Sequence, residues 1–181
     1  MRFKLYLGSR PDKNTKDATE TFAELYEYYM PKVFRYISYQ AGDMDLAEDL
    51  TSAVFEKALT RLDSYRSNKA SFSTWLMTVA RNTVIDHYRV KSRKITISIE
   101  ETFDVASGEI SPEEKVIKEE ELKSLDTYLR ELSQQEREVI SLKFGAELNN
   151  RQIAKMLTLS ESNVGTILYR AICKLRDKFK E

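Results

Sequence analysis

Two apolar patterns of helical spacing lie between residues 149 and 178, on either side of a short polar turn that opens with Ser160. Before the turn, Asn149 and Gln152 have the spacing of a capping box, in which each side chain bonds to the other residue's backbone. After the turn, apolar residues share one arc at about 100° per residue. This arc holds Val164, Ile167, Leu168, Ala171 and Leu175. The pattern predicts a helix-turn-helix.

The remaining arc of the second helix is polar. It carries Ser162, Asn163, Thr166, Tyr169, Arg170 and Lys174. Hydroxyls, an amide, an aromatic ring and cations are groups that bond base edges and phosphates in the major groove of DNA, which admits one helix. Duplex DNA is therefore the predicted partner, and the alternative is a helical hairpin whose outer face is only solvated.

Charge is distributed unevenly along the 181 residues, although the totals balance at 29 basic and 29 acidic side chains. Residues 1–94 hold 16 basic and 12 acidic side chains, residues 95–122 hold 2 and 9, and residues 123–181 hold 11 and 8. A net charge of zero gives no indication of a nucleic-acid partner. The distribution nevertheless predicts two mildly basic domains joined by an acidic linker.

Composition favours an all-α chain, with only 5 Gly, 3 Pro and few alternating apolar runs. Helical patterns predict a three-helix first domain over residues 17–94, in which Pro31 should kink or interrupt the first helix. Residues 95–121 form the acidic linker, which is flexible by composition. The second domain covers residues 122–181, and residues 1–16 form a flexible tail.

Within the second domain, Ser133 and Glu136 have the capping-box spacing that opens a helix. Gly145 lies where that helix should stop. A lone cysteine excludes an intrachain disulfide, and no apolar run approaches the roughly 20 residues of a membrane span. We therefore expect a cytoplasmic protein with no signal peptide and no membrane insertion.

Residue types suited to catalysis are sparse. His87 is the one histidine and Cys173 the one cysteine, so neither a His-pair metal site nor a catalytic triad with a choice of bases can be assembled. The sequence has no Gly-rich phosphate loop and no metal-spaced cysteines. We expect no metal, no cofactor and no enzymatic activity. An enzyme with an appended DNA-binding domain is the disfavoured alternative.

Two segments of the first domain are similar to region 2 of bacterial sigma factors: DLAEDLTSAVFEKAL at 45–59 and FSTWLMTVARNTVIDHYR at 72–89. The helix-turn-helix is similar to sigma region 4, and the two regions occur in the family's order. The chain thus resembles the extracytoplasmic-function (ECF, group 4) sigma factors of the sigma-70 family. The resemblance implies an all-α protein of two independent helical domains that directs promoter-specific transcription initiation.

The resemblance also implies that the second helix docks on the clamp helices of the beta-prime subunit of core RNA polymerase. The implied contacts are Asp49, Thr51, Ser52 and Phe55. Relatives often carry Gln-Glu where Ser52-Ala53 stands here. The alternative for charges such as Asp49 and Glu56 is an ordinary solvated surface.

Recognition and melting of the minus-10 element are implied for the loop from Tyr65 to Ser71 and for the cations that follow. Asn68, Lys69 and Ser71 would hold a flipped base, because unpaired bases expose their pairing edges. Arg81, Arg89, Lys91, Arg93 and Lys94 would bind phosphates of the melted strand. Alternatively, Asn68 and Ser71 form a turn and cap the next helix.

By the same resemblance, the second domain enters the major groove of the minus-35 element and meets the beta flap of polymerase. The implied DNA contacts are Arg151, Ser162, Asn163, Thr166, Tyr169, Arg170 and Lys174. Gly165 stands where many relatives have a basic residue, and it costs roughly 1 kcal/mol of helix propensity relative to Ala. Close approach of DNA to the backbone is one explanation for this glycine.

One further partner follows from the family: an anti-sigma factor is expected to hold the protein. Because the linker is acidic, it is expected to thread toward the RNA path of polymerase. The main rival is a stand-alone DNA-binding regulator, whose first domain would sense a signal or dimerise. The segment from Trp75 to Arg89 argues against that rival.

Overall fold

The computed structural model describes residues 14–65, 70–95, 125 and 127–179, and of these 14–21 and 92–95 are described by their backbone alone. Every regular element within the described residues is helical, which confirms the prediction of an all-α chain with two small helical domains. The predicted tail and almost all of the predicted linker lie outside the described residues, so the domain boundaries remain predictions.

The N-terminal domain consists of three helices: α1 (Asn14–Ala41), α2 (Met44–Thr60) and α3 (Phe72–Ile95). A short 3-10 turn, Leu62–Ser64, follows α2. Of the two effects expected of Pro31, a kink or an interruption, the interruption does not occur, because α1 continues through Pro31. The residues that follow Pro31 hold this segment in place, since Val33, Tyr36 and Ile37 are all fully buried.

The boundary between α1 and α2 follows from local chemistry. Gly42 has φ +63°, a left-handed conformation that costs glycine little. Asp43 then caps α2 by accepting a hydrogen bond of 2.8 Å from the backbone N–H of Leu46. The buried face of α2 runs over Ala47, Leu50, Thr51, Val54, Phe55 and Ala58.

The C-terminal domain begins with helical residues 127–131 and continues with α4 (Gln134–Ile140), a π-helical turn (Ser141–Gly145), α5 (Asn150–Leu157) and α6 (Glu161–Lys178). Both predicted capping boxes are present, one before α4 and one before α5. Ser160 caps α6 by accepting from the backbone N–H of Asn163. The helix-turn-helix of α5 and α6 is therefore confirmed.

The two domains pack against each other, which corrects the implied independence of the domains. The π-helical turn lies against α1, and Gly145 marks the closest approach. A Cβ atom added at Gly145 would stand 2.9 Å from both the Cα and the backbone nitrogen of Tyr36. The helix does end at Gly145, as predicted, but the glycine is also the point where the domains touch.

Candidate nucleic-acid interface

Helix α6 presents the predicted DNA-reading face to solvent. Its opposite face is anchored by Val164, Ile167, Leu168 and Ala171, all buried in the core of the domain. The predicted contacts at its outer face, together with Arg151 at the start of α5, are exposed: Ser162, Asn163, Thr166, Tyr169, Arg170 and Lys174. Tyr169 is the most prominent, with 71% of its surface exposed. The whole predicted set is therefore accessible to solvent.

Lys174 differs from the other cations of this face because it already has a partner. Its Nζ lies 2.8 Å from one carboxylate oxygen of Glu136 and 2.9 Å from the other. Glu136 is itself 8% exposed and closes the capping box with Ser133. The hydrogen bond from Lys174, helped by those from Ser133, lowers the pKa of the Glu136 carboxyl. Lys174 therefore holds α6 to α4 as well as facing solvent.

Gly165 lies on the same helix, and among the described residues no other segment packs against its Cβ position. A Cβ atom added there would meet nothing within 4 Å. Packing within the domain consequently gives no reason for a glycine, although the glycine lowers helix propensity.

The predicted minus-10 loop is described only at its two ends. Asn68 and Lys69 lie outside the described residues. The hydroxyl of Tyr65 donates to the backbone oxygen of Ala70 at 3.2 Å, which closes the base of the loop. Ser71 accepts from the backbone N–H of Thr74 at 3.4 Å, so Ser71 caps α3, as the alternative reading expected.

An aromatic cluster at the foot of this loop was missed by the sequence analysis. Tyr65 and Phe72 meet edge to face at 5.4 Å, and Trp75 lies 5.4 Å from Tyr65 and 5.3 Å from Phe72. Tyr29 of α1 joins from the other side, 5.3 Å from Phe72. The three aromatic residues in positions 65–75 are the sequence feature from which this cluster could have been predicted. Aromatic rings in general can stack on unpaired bases.

The predicted phosphate-binding cations occupy different environments. The side chain of Arg81 is 32% exposed and its Nε lies 3.3 Å from the carboxylate of Glu138 in the other domain. Arg89 is 61% exposed and pairs with Asp86 on the same helix at 3.2 Å. Lys91 is exposed. Arg93 and Lys94 belong to α3, but their side chains lie outside the described residues.

Two of the predicted polymerase contacts, Thr51 and Phe55, are buried within the N-terminal domain. Thr51 is 6% exposed and its hydroxyl donates to the backbone oxygen of Ala47 at 2.7 Å. Phe55 is 2% exposed and packs edge to face on Tyr26. Both side chains are buried because α1 and α3 cover this face of α2. The other two predicted contacts, Asp49 and Ser52, are exposed.

A second feature missed from sequence is a polar cluster between the domains, centred on Glu138 of α4. Its carboxylate accepts a hydrogen bond of 2.9 Å from the hydroxyl of Tyr36 and faces Arg81. Burial raises the pKa of Glu138, and the bonds from Tyr36 and Arg81 oppose that rise. Burial likewise raises the pKa of Tyr36 well above its usual range.

Next to this cluster, Glu147 reaches back from the C-terminal domain to α1. Its carboxylate pairs with Lys32 at 2.7 Å and with Arg35 at 2.5 Å. Hydrogen bonds, first from Lys32 and then from Arg35, lower the pKa of Glu147. Glu147 also has φ +58°, a left-handed conformation that side chains other than glycine rarely adopt.

The described residues also show what other kinds of site they contain. None of their helices combines the length and apolarity needed to cross a lipid bilayer. None of their His, Cys, Asp and Glu side chains gather in threes where a metal ion would fit. His87 is half-buried in a shallow groove between α2 and α3, beside Lys57 and Asp86. Cys173 is half-buried on α6.

Comparison with known proteins identifies the family. Residues 25–94 match the model for Sigma-70 region 2, and residues 128–177 match the model for Sigma-70, region 4. The chain is 33% identical to the ECF RNA polymerase sigma factor SigM of Bacillus subtilis over 158 residues, covering 86% of this chain and 93% of SigM. It is also 33% identical to the ECF RNA polymerase sigma factor BldN of Streptomyces coelicolor, covering 84% of this chain and 58% of BldN.

Among solved structures, the fold is similar to the sigma factor RpoE from Bartonella quintana, crystallised in complex with the anti-sigma factor NepR. The TM-score is 0.71 at 20% sequence identity, covering 89% of this chain and 98% of RpoE. The two helical domains and their matches define a sigma factor of the sigma-70 family. More particularly, the chain belongs to the ECF RNA polymerase sigma factors, which act in transcription initiation.

Proposed function

We propose that this protein is a group 4 sigma factor that binds core RNA polymerase, reads the minus-35 element as duplex and opens the minus-10 region. The observation that carries this proposal is the outer face of α6. Its seven-residue polar set, counted with Arg151, is exposed on a helix whose other face is fixed in a core. A rigid helix with exposed hydroxyl, amide and cationic groups fits the major groove.

The minus-10 surface consists of the loop after Tyr65, the aromatic cluster at its foot and the cations of α3. The rings of Phe72 and Trp75 would stack on an unpaired base, while Ser71 and the loop residues Asn68 and Lys69 would bond its edge. Arg81, Arg89, Lys91, Arg93 and Lys94 would neutralise strand phosphates, which adds affinity without reading sequence.

Core polymerase is the partner that couples the two weak DNA contacts, one with the minus-35 element and one with the minus-10 element. Asp49 and Ser52 on α2 are the proposed contacts with the clamp helices of beta-prime, and the outer surface of the C-terminal domain would meet the beta flap. Once polymerase fixes the spacing of the domains, binding of the second promoter element is effectively intramolecular. The protein has no catalytic role of its own in this scheme.

Regulation and location complete the proposal. An anti-sigma factor would hold the protein, as NepR is bound to RpoE in the similar structure. The acidic linker, residues 95–121, would thread toward the RNA path of polymerase. A protein that binds RNA polymerase and promoter DNA would act in the cytoplasm.

The polymerase contact is tested by binding of fluorescently labelled protein to purified core enzyme. The double variant Asp49→Ala/Ser52→Ala should bind core more weakly than the native chain. Glu27→Ala is the matched control, because Glu27 is an exposed acid on α1 and is not one of the proposed contacts. Equal affinity for the double variant and the control would place the polymerase contact elsewhere on the protein.

A further inference from the structure

The contact between the domains falls on the residues that the proposed function assigns to the minus-10 strand. The carboxylate of Glu138 forms an ion pair with Arg81, one of the proposed phosphate-binding cations, at 3.3 Å from its Nε. Gln152 of α5 donates from Nε2 toward the hydroxyls of Ser71, Ser73 and Thr74, each at 3.3 Å. In the C-terminal domain, the Glu138 carboxylate therefore takes the place of a DNA phosphate at Arg81. The Gln152 amide takes the place of a base edge at the hydroxyls.

Gly145 indicates that this contact is built into the sequence. Its nearest neighbours beyond its own chain segment are backbone atoms of Arg35 and Tyr36 in α1. Gly145 does not have a positive φ, so its own conformation would accept any residue. The absence of a side chain is needed only because the other domain approaches so closely.

Backbone strain at Glu147 of the C-terminal domain is compensated by ion pairs with the N-terminal domain. Glu147 adopts a left-handed backbone conformation, which is strained for a residue with a Cβ atom. The same residue places its carboxylate between Lys32 and Arg35 of α1. Strain in the C-terminal domain is thus matched by ion pairs that exist only while the domains are packed together.

The contact is also suited to opening. It is rich in polar groups, with Gln40 donating to the hydroxyl of Ser141 at 3.1 Å and Arg130 donating to the backbone oxygen of Gly42. Burial of the Glu138 carboxylate is unfavourable by itself and is offset only by Tyr36 and Arg81. Polar interfaces between domains of one chain commonly permit relative motion.

We propose that the free protein adopts a closed state in which its C-terminal domain occupies the minus-10 surface of its N-terminal domain. The C-terminal domain and the single promoter strand then compete for Arg81 and Ser71. This inference rests on the proposed function of the minus-10 surface. Closure leaves the DNA-reading face of α6 exposed, so the free chain masks one promoter-binding surface and keeps the other accessible.

The closed state is tested by measuring the distance between the domains in the full chain. Spin labels at Glu48→Cys in α2 and Asp177→Cys in α6, in a Cys173→Ser background, report this distance by pulsed electron paramagnetic resonance. Gly145→Ala should lengthen and broaden the distance, because its Cβ would collide with the backbone of Tyr36. Gly165→Ala makes the same substitution where nothing lies within 4 Å, so the distance should stay unchanged.

The competition is tested with a fluorescent single-stranded DNA of about 12 nucleotides and mixed sequence. If nine chains in ten are closed, opening them raises the apparent affinity about tenfold. Gly145→Ala should therefore bind this DNA several-fold to tenfold more tightly than the native chain. An opened variant that binds the DNA no more tightly would overturn the competition.

Tyr36→Phe provides a second route if Gly145→Ala does not fold. It removes the hydroxyl that bonds to Glu138 and leaves the ring in the core, so it should shift the distance in the same direction. An unchanged distance in every folded variant of the two would overturn the closed state. Failure of the native chain to support transcription with core polymerase would instead reject the proposed function, because the distance is measured without polymerase.

Discussion

The hydroxyl of Tyr36 donates a hydrogen bond of 2.9 Å to the carboxylate of Glu138, and so joins α1 of the first domain to α4 of the second. Tyr36 is fully buried, and the bond crosses 102 positions of sequence. A buried hydrogen bond to a charged acceptor contributes more than one at the surface, and removal of one partner leaves the other unsatisfied.

We predict energetic coupling between these two residues. In a double-mutant cycle of Tyr36→Phe and Glu138→Gln, the free energy of unfolding in urea should show a coupling of about 1 kcal/mol or more. The control cycle is Arg35→Gln and Glu147→Gln, an exposed ion pair, for which coupling should stay below about 1 kcal/mol. Additive effects of Tyr36→Phe and Glu138→Gln would show that the bond is not formed in solution.

Glu136 should make the stability of the C-terminal domain depend on pH. The hydrogen bond from Lys174 lowers its pKa in the folded state. A carboxyl with a lowered pKa stabilises the fold above its unfolded pKa, and this contribution is lost as pH falls through the folded pKa. Glu136→Gln should therefore lose more stability at neutral pH than in acid, as measured by urea unfolding across pH.

The matched control for that experiment is Glu131→Gln. Glu131 also pairs with a lysine of α6, but it is 50% exposed and lies 3.4 Å from Lys178. Solvent screens such a pair, so its substitution should change the pH dependence less. Parallel pH profiles for the native chain and Glu136→Gln would contradict the assigned role of Glu136.

Gly165→Ala should separate stability from DNA binding. Alanine has a higher helix propensity than glycine, and its Cβ atom meets no neighbour within 4 Å. The free energy of unfolding should therefore rise by about 0.5–1 kcal/mol. Binding to the minus-35 duplex should weaken, because the added methyl group faces the approaching DNA. Thermal unfolding and fluorescence anisotropy measure the two effects. Unweakened duplex binding would remove the explanation of Gly165 by close approach.

The cations of α6 should differ in the salt dependence of duplex binding. Each phosphate contact removed lowers the slope of log affinity against log salt by about one. Arg170→Gln should show a loss of this size. Lys174→Gln should show a smaller one, because its ammonium already pairs with Glu136. An equal loss of slope for both variants would show that Lys174 releases Glu136 to bind phosphate.

Local features were predictable from the sequence because their causes lie within a few residues. Ser133 and Asn149 open helices through capping boxes whose partners are three positions away. The exposed arc of α6 follows from the spacing of its apolar residues. These elements, together with the order of the two sigma regions, gave the fold and the family correctly.

Features set by packing between distant segments were not predictable in the same way. Thr51 and Phe55 are buried because α1 and α3 cover them, and the apolar stripe of α2 alone did not define how wide that buried face is. The cluster around Glu138 joins positions 36, 81 and 138, which no local pattern connects.

The central claim is that this chain gives core RNA polymerase its promoter specificity. The most direct measurement is in vitro transcription from a pool of promoter fragments with bacterial core polymerase, with and without the protein, at controlled salt. We predict transcripts that appear only with the protein and start downstream of a shared two-part motif. Specific duplex binding by the protein alone, with no added transcripts, would contradict the account and favour a stand-alone regulator.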